Sequence, residues 1–250
     1  MNILEKVQRF YHAYKGEKGV IGKTEKGKDV YFFKVEKTPY PVIIAQYGMH
    51  AREYITCDLA LKHIKYFSRC GKVGTVYFIP AVNPDGIEIC VNGNPLKKSN
   101  ALGVDLNLNF PARWGTGDGN SKILGQENFI GARPLCAKES LALFCFTLAV
   151  KPDKTVSFHS KGEEIYYYFD QEDGVRDFVL AKKLQSATGY AVKLTSNSAG
   201  GYKDWCISRL KIPSFTIEVG NDNLSHPIDL KYSGRIFKKC KNVINVLTEN

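Results

Sequence analysis

His50 and Glu53 stand three residues apart, directly after the apolar run Val42-Ile43-Ile44-Ala45. Two further apolar runs, Thr155–Phe158 and Phe215–Ile217, end in His159 and Glu218. Each strand-like run therefore delivers an ionisable group at its C-terminal end, the edge where open α/β sheets gather ligand and catalytic sites. Two imidazoles and one carboxylate suit a tetrahedral zinc ion and leave its fourth position open, as catalytic zinc sites require and structural ones do not. The remaining carboxylate can act on a water at the ion. The pattern predicts a zinc hydrolase.

The elements that must position these groups interleave along the chain. Residues 3–14 read as an opening helix, and Val30–Val35 and Val42–Gln46 as strands separated by the turn-forming Lys37-Thr38-Pro39-Tyr40-Pro41. Between Ile55 and Phe67, Leu59, Leu61, Ile64 and Phe67 recur at helical intervals, and Val76–Ile79 reads as a short buried strand ended by Pro80 and an Asn83-Pro84-Asp85-Gly86 turn. Residues 111–136 are glycine-rich and aperiodic, a long surface excursion expected near the site. Helices are expected over 137–149, 174–187 and 232–247, with strands at Thr155–Phe158 and Ser214–Ile217. The predicted fold is an α/β single domain over residues 1–250, with a mixed, mostly parallel twisted sheet flanked by helices.

With 44% hydrophobic residues in 250, the chain can bury a large core, and no repeat or linker divides it. The net charge of +10 invites a nucleic-acid reading. The lysines are dispersed, however, and no base-recognition motif accompanies them, so no nucleic-acid partner is expected. Such a field would equally steer an anionic substrate. No signal-peptide pattern opens the sequence and no stretch is apolar enough to span a bilayer, so a cytoplasmic protein without a membrane partner is expected. The seven cysteines form no CxxC pair, and most, Cys145 included, sit in apolar patterns as buried thiols of a reducing compartment would. His12, His63 and His226 lack motif context; solvent-facing, packing or turn roles suit them.

Six motifs occur in one order: Gly48-Met49-His50-Ala51-Arg52-Glu53, Asn83-Pro84-Asp85-Gly86, Gly103-Val104-Asp105-Leu106-Asn107, Ser157-Phe158-His159-Ser160, Ala199–Trp205 and Thr216-Ile217-Glu218. Together, from about residue 40 to 220, they resemble the zinc metallocarboxypeptidase family, that of carboxypeptidase A. The resemblance implies that fold, one zinc ion held by His50, Glu53 and His159, and Glu218 as general base. It places Asp105 behind the first zinc histidine, although a turn-stabilising aspartate is the alternative. It also implies substrate contacts at Arg52 and Asn107.

Departures from the family pattern bear on the substrate. Where the family grips a terminal carboxylate with an Asn-Arg pair, the chain reads Asp105-Leu106-Asn107-Leu108-Asn109-Phe110, and Leu108 has no donor for that grip. The family's mobile tyrosine, four residues before the paired glycines, is Ser196 here. Lys203 takes the position that sets side-chain preference; turned inward it needs a negative partner, which predicts a substrate carboxylate, and turned outward it is a solvated lysine. Lys98 aligns, better than Lys97, with a cation that polarises the scissile carbonyl. Arg113 is a further candidate carboxylate contact or a surface arginine. These changes, with Asn109–Gly115 and Ser160-Lys161-Gly162-Glu163, resemble the branch acting on bacterial peptidoglycan peptides, which cleaves between γ-D-glutamate and meso-diaminopimelate or another L-diamino acid. A stem peptide or muropeptide is then the expected partner. A zinc carboxypeptidase or amide deacylase acting on another acidic substrate, and a non-catalytic binding domain, are the alternatives; the retained general base argues against the last.

Overall fold

Among the described residues eight strands form one sheet: β1 Lys18–Lys23, β2 Asp29–Glu36, β3 Val42–Tyr47, β4 Thr75–Ile79, β5 Lys154–His159, β6 Glu164–Tyr166, β7 Ala191–Lys193 and β8 Ser214–Glu218. They lie in the order β1-β2-β4-β3-β5-β8-β6-β7 in a computed structural model that describes residues 2–194 and 197–249. The central strands β4, β3, β5 and β8 are mutually parallel, while β1, β2 and β6 join by antiparallel pairing. From β3 the chain crosses first to β4 on one side and later to β5 on the other. The crevice between β3 and β5 is therefore the topological switch point of the sheet, where ligands of such folds bind.

The central strands are buried on both faces, which is why β3 reads as an almost unbroken apolar run, while β5 and β8 alternate apolar residues with small buried hydroxyls such as Thr155 and Ser214, 2.6 Å apart. Ile43, Ala45 and Tyr47 of β3 point into one core and Ile44 into the other. Helices α1 (Ile3–Ala13), α2 (Ile55–Cys70), α5 (Val175–Thr188), α7 (Ser233–Cys240) and α8 (Val243–Thr248) bring residues to the first core; α4 (Lys138–Val150) and α6 (Tyr202–Trp205) bring theirs to the second. The remaining helix, α3, spans Pro84–Val91. Tyr47 and Phe158 stack across β3 and β5 at 4.6 Å between ring centroids, locking the two strands whose ends meet at the switch point. His63 is a packing residue there, its Nδ1 at 2.8 Å from the Tyr47 hydroxyl and its Nε2 at 3.1 Å from the Cys240 carbonyl. Burial drives its pKa down to about 3, so it stays neutral. No helix among the described residues is long and apolar enough to cross a membrane.

The predicted long elements are present, and residues 111–136 form turns and bends with one isolated bridge between Ser121 and Phe129. Several expectations need correction. Asn83-Pro84-Asp85-Gly86 starts helix α3 rather than closing a turn: Asn83 Oδ1 accepts from the Gly86 amide, and proline suits the first helical position. The helix expected over 232–247 is two helices, α7 and α8, that meet at Lys241 and Asn242; Asn242 spends its side-chain oxygen on the Tyr66 hydroxyl. Strands β1, β6 and β7 escaped notice because β1 holds two glycines and the others are three residues long. Cys145 is exposed, since α4 packs on the sheet by one face only.

Candidate metal and catalytic centre

The loop after β3 is shaped before it delivers a ligand. Gly48 adopts φ +60 with Cys57 Sγ and the Ala81 backbone crowding the place of a β-carbon, a position only glycine fills without strain. The Gly48 amide donates to Thr56 Oγ1 at 2.9 Å, and Asn83 Nδ2 donates to the Met49 carbonyl at 3.1 Å. His50 follows, and a single 3-10 turn, Ala51–Glu53, swings Glu53 to the same side. Asn83 is thus a buttress of the ligand loop that sequence reasoning quoted in a motif without giving it a role.

The parallel register of β5 on β8 sets His159 directly opposite Glu218. Across the switch point, His50 Nδ1 lies 2.9 Å from Glu53 Oε1, His159 Nδ1 lies 3.0 Å from Glu53 Oε2, and the two Nδ1 atoms are 3.1 Å apart. All three side chains are buried. Ligand atoms around a tetrahedral ion with bonds of about 2.0–2.1 Å sit about 3.3 Å from one another, close to this spacing. The tautomer agrees. His50 Nε2 faces Asp105 Oδ1 at 3.1 Å, and a carboxylate can only accept, so Nε2 carries a proton and Nδ1 is the ring atom left to face a metal ion. Two buried nitrogens converging on one carboxylate fit a zinc ion.

Electrostatics around the triad are those of a cation site. Burial opposes charge on His50, but the carboxylates of Glu53 and Asp105 overcome it and raise its pKa to about 9. Glu53 pays its burial back through both histidines, which hold its carboxyl well below the usual range. Asp105, likewise buried, is held down by His50 and by Lys98, whose Nζ lies 2.7 Å from Asp105 Oδ2. Glu218 behaves oppositely: burial first, then the nearby Glu53 charge, raises its carboxyl well above the ordinary value. Its Oε2 is buried without a hydrogen-bond partner. A dication at the triad would pull that carboxyl back down.

Beside the triad lies a cavity of about 230 Å³ lined by Glu218, Thr216, Tyr166, Lys203, Asn107 and Leu108 among others. Two segments distant in sequence form its wall. Gly200, at φ +89, passes so close to Leu108 that a β-carbon would sit 2.8 Å from the Leu108 carbonyl oxygen. The segments are tied by Phe110 N to Gly200 O and Gly200 N to Ala112 O. Asn107 Oδ1 accepts from the Tyr202 amide at 3.2 Å.

Predicted site residues thus divide. His50, Glu53, His159, Glu218, Asp105 and Lys98 meet at the centre; Asn107 and Lys203 line the cavity. Lys98 Nζ also donates to Asn128 Oδ1 at 2.7 Å. Lys203 is buried, as its inward reading required, but the chain supplies its negative partner: Nζ reaches Asp204 Oδ1 at 2.6 Å and the Tyr168 carbonyl at 2.8 Å. Arg52 pairs with Glu127 at 3.1 Å. Arg113 is absent from the lining of this cavity; it borders a neighbouring one of about 200 Å³, its exposed guanidinium 2.5 Å from Asp170. Ser196 lies outside the described residues. Tyr166 and Ser198 line the cavity without having been predicted. Their only sequence signal was the tyrosine-rich run after Glu164 and proximity to the paired glycines.

Known proteins resemble this chain in sequence and in fold. The γ-D-glutamyl-L-diamino acid endopeptidase 1 of Lysinibacillus sphaericus is 30% identical over 72% of this chain and 55% of its own length. An uncharacterised Bacillus subtilis protein is 24% identical over 79% of this chain and 62% of its own. The chain therefore spans little more than half the length of these curated relatives. Bovine thrombin-activatable fibrinolysis inhibitor superposes with a TM-score of 0.86 at 21% identity, covering 98% of this chain and 93% of that one. A murein-tripeptide amidase from Escherichia coli O157 superposes at 0.67, also at 21% identity, over 93% and 92% of the two chains. A family model described as zinc carboxypeptidase matches residues 10–235, and with its His-Glu-His triad the chain belongs to that family.

Proposed function

We propose that the protein hydrolyses the bond between γ-D-glutamate and a diamino acid, meso-diaminopimelate or an L-diamino acid, in peptidoglycan-derived stem peptides. The observation that supports this most is the cavity wall at Leu108. Among the described residues lining the cavity there is no arginine, and the one ammonium, Lys203, is already bound to Asp204. A wall without a free guanidinium lacks the bidentate grip that suits a terminal main-chain carboxylate. The resemblance to an endopeptidase named for γ-D-glutamyl-L-diamino acid bonds supports the same reading.

His50, Glu53 and His159 would hold the zinc, which when bound would supply Lewis acidity, lowering the pKa of a nearby water to about 7 and favouring charge on a carbonyl oxygen. Glu218 takes a proton from the attacking water and delivers it to the leaving amine; its unpartnered Oε2 is the atom available for this. Lys98 offers its ammonium to the developing oxyanion. Asn107 and Arg52 position the substrate backbone, and Arg113, outside the cavity, meets a more distant part of the stem. Lys203 has three ammonium hydrogens and gives two to Asp204 and Tyr168, so one remains for a substrate carboxylate.

Digestion of defined muropeptides, followed by mass spectrometry, tests the proposal. Release of a fragment beginning at the diamino acid is expected. Trimming of ordinary peptides from their C-termini with the γ-D-glutamyl bond left intact would overturn it in favour of a carboxypeptidase.

A further inference from the structure

Strand β6 adds a feature to the cavity that the reaction above does not use. In the antiparallel register of β6 on β8, Glu164 stands opposite Glu218 and Tyr166 opposite Thr216. Side chains two apart in a strand share a face. Glu164, Tyr166, Thr216 and Glu218 therefore rise from the same side of the sheet. Tyr166 lines the cavity together with Thr216 and Glu218. Its hydroxyl donates to Glu164 Oε2 at 2.5 Å, while Glu164 Oε1 is 3.6 Å from the half-exposed Lys193 ammonium.

A phenol has one proton to donate and lone pairs to accept with. The Tyr166 proton is committed to a carboxylate, the stronger kind of acceptor. What the phenol oxygen still offers is acceptance, backed by the negative charge of Glu164. The opposite wall differs: Lys203 has a donor to spare, while Asp204 is taken up by Lys203 and by the Gly201 amide at 3.1 Å. The cavity thus presents a donor on one wall and an acceptor on another.

We infer that Tyr166, oriented by Glu164, recognises a side-chain ammonium on the residue that fills this cavity. This rests on, and sharpens, the proposed cleavage at a diamino acid: the α-carboxylate or distal carboxylate meets Lys203, and the second amine meets Tyr166. Tyr166 is a specificity residue and takes no part in proton transfer at the scissile bond.

Zinc-loaded Glu218→Gln protein, in which turnover is slowed, is titrated calorimetrically with two ligand pairs that differ only by the terminal amine. They are L-lysine with L-norleucine, and γ-D-glutamyl-L-lysine with γ-D-glutamyl-L-norleucine. The amine-bearing member is expected to bind tenfold or more tightly, and Tyr166→Phe is expected to erase that preference without changing zinc content. Glu164→Gln, which removes only the charge behind the phenol, is expected to erase part of it. Equal binding within the pairs, or a preference that survives Tyr166→Phe, overturns the inference. A lysine preference lost in Tyr166→Phe, with neither dipeptide bound, supports the inference and overturns the γ-glutamyl reading. Absence of binding by all four overturns both.

Discussion

The metal cradle and the cavity beside it are built by different means. The cradle hangs from the ends of β3 and β5, and its ligands fall within Gly48–Glu53 and at His159. Hydrogen-bond ladders and the Tyr47–Phe158 stack fix the separation of those strand ends. The cavity is framed by the sheet on one side only. Tyr166 and Thr216 face each other across the β6–β8 ladder, whereas Leu108, Ser198 and Lys203 come from segments outside the sheet, joined by the Phe110–Gly200 and Gly200–Ala112 backbone hydrogen bonds and the close approach of Gly200 to Leu108. Rigid strand ends suit chemistry that must be held to fractions of an ångström, while segments on the opposite wall can change without disturbing it.

The cradle should fail outright when a ligand is lost. His50→Ala or His159→Ala leaves two protein donors, too few to hold zinc firmly. Both purified variants should contain almost no zinc by elemental analysis and show no activity. Near-normal zinc in both would remove the triad from the account.

The cavity should instead fail through stability. Lys203→Met strands the Asp204 carboxylate, buried, with the Gly201 amide as its remaining partner. Breaking such a pair costs about 3–5 kcal/mol. Thermal unfolding should move down sharply, and Lys203→Met/Asp204→Asn should recover much of the loss. If Lys203→Met is as stable as the parent but weakens acidic substrates alone, the ammonium belongs to the substrate and not to the wall.

Glu218→Gln lies at the seam between the two regions. Zinc should stay bound while turnover falls by roughly two orders of magnitude or more, because the amide cannot accept the proton. Full activity in this variant would show that another group moves it.

The contrast also explains how much could be read from sequence. The cradle was legible because its ligands are chemically rare types at fixed offsets from apolar runs, and the strands that carry them are buried on both sides. Lys203 lines the cavity, yet its partner there is the next residue in the chain, and sequence shows that adjacency but not that Asp204 turns its carboxylate inward. Tyr166 was invisible because a three-residue strand shows no period, and its role depends on pairing with β8, some fifty residues later. Helix α3 was missed because Asn-Pro-Asp-Gly is equally a turn and a capped helix start. The Ile87 amide, which donates to the Asn83 carbonyl at 3.0 Å and so continues the helix, separates the two.

The smallest effect distinguishes support of the cradle from service to the substrate. Asp105 touches His50 on one oxygen and Lys98 on the other, so either neighbour could be the reason for its burial. Asp105→Asn keeps the shape but removes the charge that favours the Nε2-protonated ring. Losing such a partner weakens zinc by about 10–100-fold in comparable sites. Lys98→Met leaves Asp105 on His50, so zinc affinity should stay within a few fold of the parent. Turnover should fall with little change in KM, as expected for a charge that acts on the oxyanion. Competition with a chelator measures the first effect and steady-state kinetics the second. If Lys98→Met loosens zinc as much as Asp105→Asn does while kcat holds at saturating zinc, Lys98 is a prop for Asp105 and the oxyanion must be met from another direction.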